Sequence, residues 1–119
     1  MKTLLIIEDE EMIVDIFSLV LRNHFKIFRA QNSDEVLRVI KENTIDVFIV
    51  DISLKSEKDG IQIIRELRAT NEYKLSPIIV ITAHAFKKDE ISAMQAGATR
   101  FLRKPVENEK LLSELLRYE

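Results

Sequence analysis

Leu4-Leu5-Ile6-Ile7-Glu8-Asp9-Glu10 decides the fold. Four consecutive apolar residues suit a strand covered on both faces, since a strand with one wet face would alternate. The run ends abruptly in acids, and an amphipathic stretch follows. Glu10 to Asn23 carries Ile13, Ile16, Phe17, Val20 and Leu21 at helical spacing. Lys26 to Ala30 reads as a short mixed strand. Asn32 to Glu42 reads as a helix with Asn32 as its cap. Glu35, three residues on, completes a capping box, and the inner face is Val36, Leu37 and Ile40.

Val47-Phe48-Ile49-Val50 is a second wholly apolar run. Ile61, Ile64 and Leu67 then mark a helix of about three turns. Pro77 opens a third run, Ile78-Ile79-Val80-Ile81. Lys87 to Ala96 is a weaker helix that Gly97 is placed to stop. Thr99 to Leu102 is a final short strand, and Glu107 to Tyr118 closes the chain as a helix with Leu111, Leu112, Leu115 and Leu116 as its apolar stripe.

Strict alternation of strand and helix predicts an α/β fold, a parallel sheet with helices on both faces. The wholly apolar runs belong in the middle. The charged ones, Lys26-Ile27-Phe28-Arg29 and Thr99-Arg100-Phe101-Leu102, belong at the edges. The order 2-1-3-4-5 satisfies this, a doubly wound, flavodoxin-like (βα)5 arrangement filling residues 1–119 as one domain. Composition narrows the function. A net charge of -2 leaves no footprint for direct nucleic-acid or membrane binding. The absence of cysteine excludes thiolate metal sites and thiol catalysis, and only two glycines exclude nucleotide-binding glycine loops. No apolar run reaches the ~18 residues of a membrane helix, and no signal-peptide core is present, so a cytoplasmic location is expected.

In open parallel sheets, ligands bind beyond the carboxyl ends of the strands. The first strand ends in Glu8-Asp9, the third in Asp51 and the fourth in Thr82, and the fifth is followed by Lys104-Pro105. Three carboxylates, a hydroxyl and an ammonium should thus share one sheet edge. Close carboxylates repel unless a cation joins them, and an oxygen-only set suits Mg²⁺. The lysine and hydroxyl would cradle phosphoryl oxygens, and the central Asp51 would be the nucleophile of a phosphoryl transfer.

With these residues in place, the whole chain resembles a receiver domain of two-component response regulators. The resemblance implies that Glu8, Asp9, Asp51 and the Ser53 backbone carbonyl hold Mg²⁺ (or Mn²⁺) and that Asp51 is the phosphoacceptor. It implies that Thr82 is the switch hydroxyl, Phe101 the rotating aromatic and Lys104 the site lysine, with a cis bond before Pro105. Ser53 and His84 match positions that tune phosphate lifetime. The implied partners are a histidine kinase or histidine phosphotransfer domain as donor. A downstream protein or tethered output domain would be the reader, through the face of helix four, strand five and helix five. The resemblance fits either a monomer or a phosphorylation-dependent dimer. Its chemistry is self-phosphorylation and autodephosphorylation, not turnover.

Some positions depart from the family pattern. Glu8 stands where an aspartate is usual, Phe101 where tyrosine is common, Lys55 where many members have proline, and Gly60 one residue later than usual. Thr99 and Arg100 replace the two acids that serve the dimer face of the winged-helix branch. Glu8, Phe101 and Lys55 keep open a second reading, a phosphorylation-independent interaction module. Glu8 and Asp9 also have a simpler reading as caps of the first helix, and His24 one as a helix-end or solvated residue. A metal phosphatase is disfavoured, because Asp51 is followed by Ile52 and Ser53 and not by a second acid two residues on.

Overall fold

The apolar runs, too short for helices, become the central strands. The computed structural model describes residues 1–119. In chain order the elements are β1 (Lys2–Ile7), α1 (Glu11–Leu21), β2 (Phe25–Ala30), α2 (Ser33–Glu42), β3 (Val47–Val50), α3 (Gly60–Arg68), β4 (Ile78–Thr82), α4 (Lys87–Ala96), β5 (Arg100–Arg103) and α5 (Asn108–Leu116). The sheet order is β2-β1-β3-β4-β5, with every neighbouring pair parallel. The fold is the flavodoxin-like one, with the two charged strands at the edges.

Continuous apolarity has a direct structural reason. Leu5, Ile7, Phe48, Val50, Ile78 and Val80 face one layer, where they meet Val36 of α2, Ile63, Ile64 and Leu67 of α3, and Ala93 and Ala96 of α4. Their alternates Leu4, Ile6, Val47, Ile49, Ile79 and Ile81 face the other layer, against Val14, Phe17 and Leu21 of α1 and Leu111 and Leu115 of α5. Each such side chain contributes about 1.5–3 kcal/mol on burial, so both faces of the sheet drive folding.

The helices bury narrower stripes than their apolar spacing predicts. Ile16 of α1, Leu37 of α2 and Leu116 of α5 are exposed, while Val14 takes an inner place on α1. A helix lying on a single sheet covers only part of its circumference, and the flanks of a broad stripe stay wet. On α5 a buried acid sits beside the stripe. Glu114 is 1% exposed and receives both a 2.7 Å and a 3.1 Å hydrogen bond from the Arg100 guanidinium of β5. Those bonds, ahead of Lys110 and Arg117, hold its carboxyl below the ordinary range despite burial.

Local ends also differ in small ways. Asn32 caps α2 by accepting from Glu35 N–H (2.9 Å), but the Glu35 carboxylate accepts from Gln31 N–H (2.8 Å), one residue before the cap. The full capping box is instead on α3, between Asp59 and Gln62. β5 starts at Arg100 because the Thr99 hydroxyl takes the Ile78 N–H (3.0 Å) that a strand carbonyl would otherwise accept. Gly97 ends α4 in the left-handed region at φ 118°.

Candidate functional site

Backbone ladder bonds assemble the site before any side chain takes part. Glu8 N–H donates to the Ala30 carbonyl, and Asp51 N–H to that of Ile7, each at 3.0 Å. Lys104 N–H donates to the Thr82 carbonyl, also at 3.0 Å. Glu8, Asp51, Thr82 and Lys104 therefore meet at the carboxyl edge of β1, β3, β4 and β5.

The two oxygens of Asp51 have different surroundings. Oδ1 accepts from Ser53 N–H (3.0 Å), the Ser53 hydroxyl (2.8 Å) and the Thr82 hydroxyl (2.8 Å). Oδ2 accepts only from Lys104 Nζ, at 3.0 Å. The same ammonium donates to Glu8 Oε1 at 2.5 Å, and Glu8 Oε2 accepts from Glu10 N–H at 3.3 Å. Asp9 Oδ2 accepts from Lys55 N–H at 2.8 Å. No side chain caps α1, so Asp9 does not do so. Glu8 bonds the N–H of the Glu10 cap residue, which is the closest the site comes to a capping role.

These neighbours divide the carboxyls electrostatically. Burial alone would raise Asp51, but the Ser53 N–H, then Lys104 and the Thr82 hydroxyl, outweigh it and hold the carboxyl below its ordinary value. Glu8 is only 2% exposed, and burial dominates there. With the Asp51 charge beside it, its carboxyl is pushed up to about 7, even though Lys104 opposes the shift. Burial would lower Lys104, and bonding to Glu8 and Asp51 reverses that and raises it.

One oxygen each of Glu8, Asp9 and Asp51 lies within 4.8 Å of the others. Hard oxygen donors with room for water fit Mg²⁺ chemistry. The Lys104 ammonium bridging Glu8 and Asp51 already offsets part of their repulsion. The Lys104–Pro105 bond is cis.

Other predicted residues stand further out. Phe101 is half-buried and packs against the α2–α4 layer, making no hydrogen bond to the site. His84 reaches the site only through its backbone, its N–H donating to the Thr82 hydroxyl at 3.1 Å while its side chain is exposed. His24 pairs with Glu119 at 2.6 Å, far along the chain from the cluster. An apolar shelf of ≈ 390 Å³ adjoins Lys104, lined by Ile13, Ile16, Phe17, Ala83, Pro105 and Val106.

Two contributors were not evident from residue types. Lys55 acts through its N–H, and its only sequence signal is not being proline. Gly60 begins α3 against the Asp51 backbone, where a Cβ would fall 2.3 Å from the Asp51 carbonyl oxygen and 2.6 Å from Ile52 Cα. Its signal is a glycine in the first turn of a helix, where propensity disfavours it.

A family model for the response regulator receiver domain matches residues 4–116. The chain belongs to that family. Receivers are signalling domains of two-component systems. This one is 36% identical over 105 residues to the response regulator GtcR of Aneurinibacillus migulanus, covering 87% of this chain and 42% of GtcR. The chain thus spans less than half the length of that relative. The chemotaxis protein CheY4 of Vibrio cholerae shares its fold at TM-score 0.91 and 26% identity, over 100% of this chain and 99% of that one. The receiver domain of sensor histidine kinase PA1611 from Pseudomonas aeruginosa PAO1 was solved with a magnesium ion coordinated in its active-site cleft. It matches at TM-score 0.86 and 26% identity, covering 98% of this receiver and 96% of that one. No helix of this receiver is long and apolar enough to cross a membrane.

Proposed function

We propose that this receiver is a phosphorylation switch whose acceptor is Asp51. The observation that carries the reading is the polarised Asp51 carboxylate, with one oxygen tied by three donors and the other facing a single ammonium. A histidine kinase or phosphotransfer domain would present a phosphoimidazole. The P–N bond breaks, its electron pair stays on the imidazole, and a P–O bond forms to Asp51. Asp9 and Asp51, with Glu8 and the Ser53 backbone carbonyl, are the residues that would hold Mg²⁺ or Mn²⁺. The ion, when bound, supplies charge neutralisation for the phosphoryl oxygens.

This chain's own groups do the rest. The low-lying carboxyl of Asp51 keeps the nucleophile ionised at neutral pH. Lys104 is placed to leave one carboxylate and take a phosphoryl oxygen. The Thr82 hydroxyl, 2.8 Å from Oδ1 and 0% exposed, is already beside the acceptor. Once the phosphoryl group draws its hydrogen bond, the bond from His84 N–H carries the change into the chain leading to α4. Phe101, half-buried on adjacent β5, would then repack inward. Small Ser53 leaves a path for hydrolytic water, and His84 would tune that lifetime.

The element that reads out the change would be α4 with β5 and α5. Only Ala93 and Ala96 of α4 are buried, whereas Ile91 and Met94 are exposed at 45% and 43%, and Phe86 at its N-cap at 70%. A helix with so little seated area shifts at small cost. A downstream protein or tethered output domain would bind there, in the cytoplasm, to a monomer or a phosphorylation-dependent dimer of the domain spanning residues 1–119.

The test is intact mass after incubation with acetyl phosphate and Mg²⁺, with Asp51→Asn alongside. A single phosphoryl adduct that needs Mg²⁺ and vanishes in the variant is expected. No adduct and no Mg²⁺ binding in the native chain would sink the reading. One observation favours a second reading, an interaction module that works without phosphorylation. Lys104 bonds both Glu8 and Asp51 and so offsets part of their charge without a metal. A Mg²⁺ titration separates the two readings.

A further inference from the structure

Neither Lys104 nor Thr82 bonds Asp9, the third acid of the cluster. Its partner comes from another loop. Lys55 N–H donates to Asp9 Oδ2 at 2.8 Å, across 46 residues of sequence. The bond ties the β3–α3 loop to the β1–α1 loop. The Lys55 side chain is exposed and makes no ion pair, so the contribution of this residue is its backbone donor. Asp9 Oδ1 receives no hydrogen bond, while Oδ2 is occupied.

We propose that the Lys55 N–H is a positioning group for the cation site, holding Asp9 by one oxygen so that the other is presented to the ion. This rests on the reading of Asp9 as a cation ligand. A half-exposed carboxylate that rotates freely must lose that freedom when it ligates a metal. One already held has lost it on folding. Donors to ligating groups commonly change metal affinity 10–100-fold, and a single uncharged N–H belongs at the lower end of that range. Cation affinity is thereby coupled to the order of the β3–α3 loop.

The test is a calorimetric titration of Mg²⁺ alone into the whole chain, comparing native protein with Lys55→Ala, Lys55→Pro and Asp9→Asn. Lys55→Ala removes the charge and keeps the donor, so its Kd stays within about twofold. Lys55→Pro removes the donor and weakens binding about tenfold. Asp9→Asn weakens it at least as much. Should Asp9→Asn bind normally, the ligand reading itself fails. Weakened Asp9→Asn with an unaffected Lys55→Pro overturns only the positioning role. If circular dichroism shows Lys55→Pro unfolded, an amide-to-ester replacement at residue 55 deletes the same donor without a ring, and full affinity there overturns the proposal. Amide exchange gives an independent readout. The Lys55 amide stays protected when Mg²⁺ is added, and loss of protection would mean that the ion competes with the bond.

Discussion

Replacing Glu8 by glutamine should flatten the pH dependence of stability between pH 5 and 8. Glu8 is a buried acid whose carboxyl rises from an ordinary 4.5 to about 7 on folding. The folded chain therefore holds a proton that the unfolded chain has released, and stability falls as pH rises through this window. At ~1.36 kcal/mol per pH unit, the full rise corresponds to about 3.4 kcal/mol, of which about 2.5 kcal/mol develops between pH 5 and 8. Water at the open rim of the site trims this to about 2 kcal/mol. Asp51 acts with the opposite sign, but its lowered carboxyl titrates below this window, and the raised Lys104 titrates above it. The assay is urea unfolding in EDTA at pH 5 and pH 8, for native protein and Glu8→Gln. With a urea slope of about 1.5 kcal/mol/M, the native midpoint should drop by roughly 1–1.5 M from pH 5 to pH 8, and the variant's midpoint should barely move. Because Glu8→Gln also alters the bond with Lys104, the slope with pH is the criterion, not absolute stability. Equal slopes in the two proteins would refute the assignment of the titration to Glu8.

Other perturbations have equally definite outcomes. Lys104→Ala leaves two buried carboxylates without their cation. In EDTA at pH 8 it should cost about 3 kcal/mol by urea unfolding, with part recovered on adding Mg²⁺. Gly60→Ala forces a Cβ into the Asp51 backbone. It should lower stability by at least about 2 kcal/mol and Tm by roughly 6–12 °C in calorimetry, and it should slow adduct formation as Asp51 shifts. Phe86→Ala at the exposed N-cap of α4 and Met94→Ser on its exposed face touch nothing at the carboxyl edge of the sheet, so their urea midpoints should match the native one within about 0.5 kcal/mol and their adduct rates should be unchanged.

Residues whose role is set by their immediate neighbours in sequence were the readable ones. Val47–Val50 and Lys87–Ala96 occupy the predicted bounds, because a four-residue apolar run and a helix stopped by glycine are local patterns. The meeting of Glu8, Asp51, Thr82 and Lys104 was also legible, since parallel topology sends every strand end to one edge. Partnerships made by the folded surface were not. Nothing in residue spacing says that Lys104 divides its protons between Glu8 and Asp51, or that the N–H of residue 55 reaches Asp9. The over-wide stripes that took in Leu37 and Leu116 fail for a related reason. Periodicity reports which face is apolar, and only the packed neighbour decides how much of it is covered.

Helix α4 seats itself on two alanines, Ala93 and Ala96, and stops at a glycine. Small residues fasten a helix through its backbone and ask nothing of the side chains that point away. The outward positions of α4 are therefore open to drift over generations without loss of the fold or of the carboxylates at the strand ends.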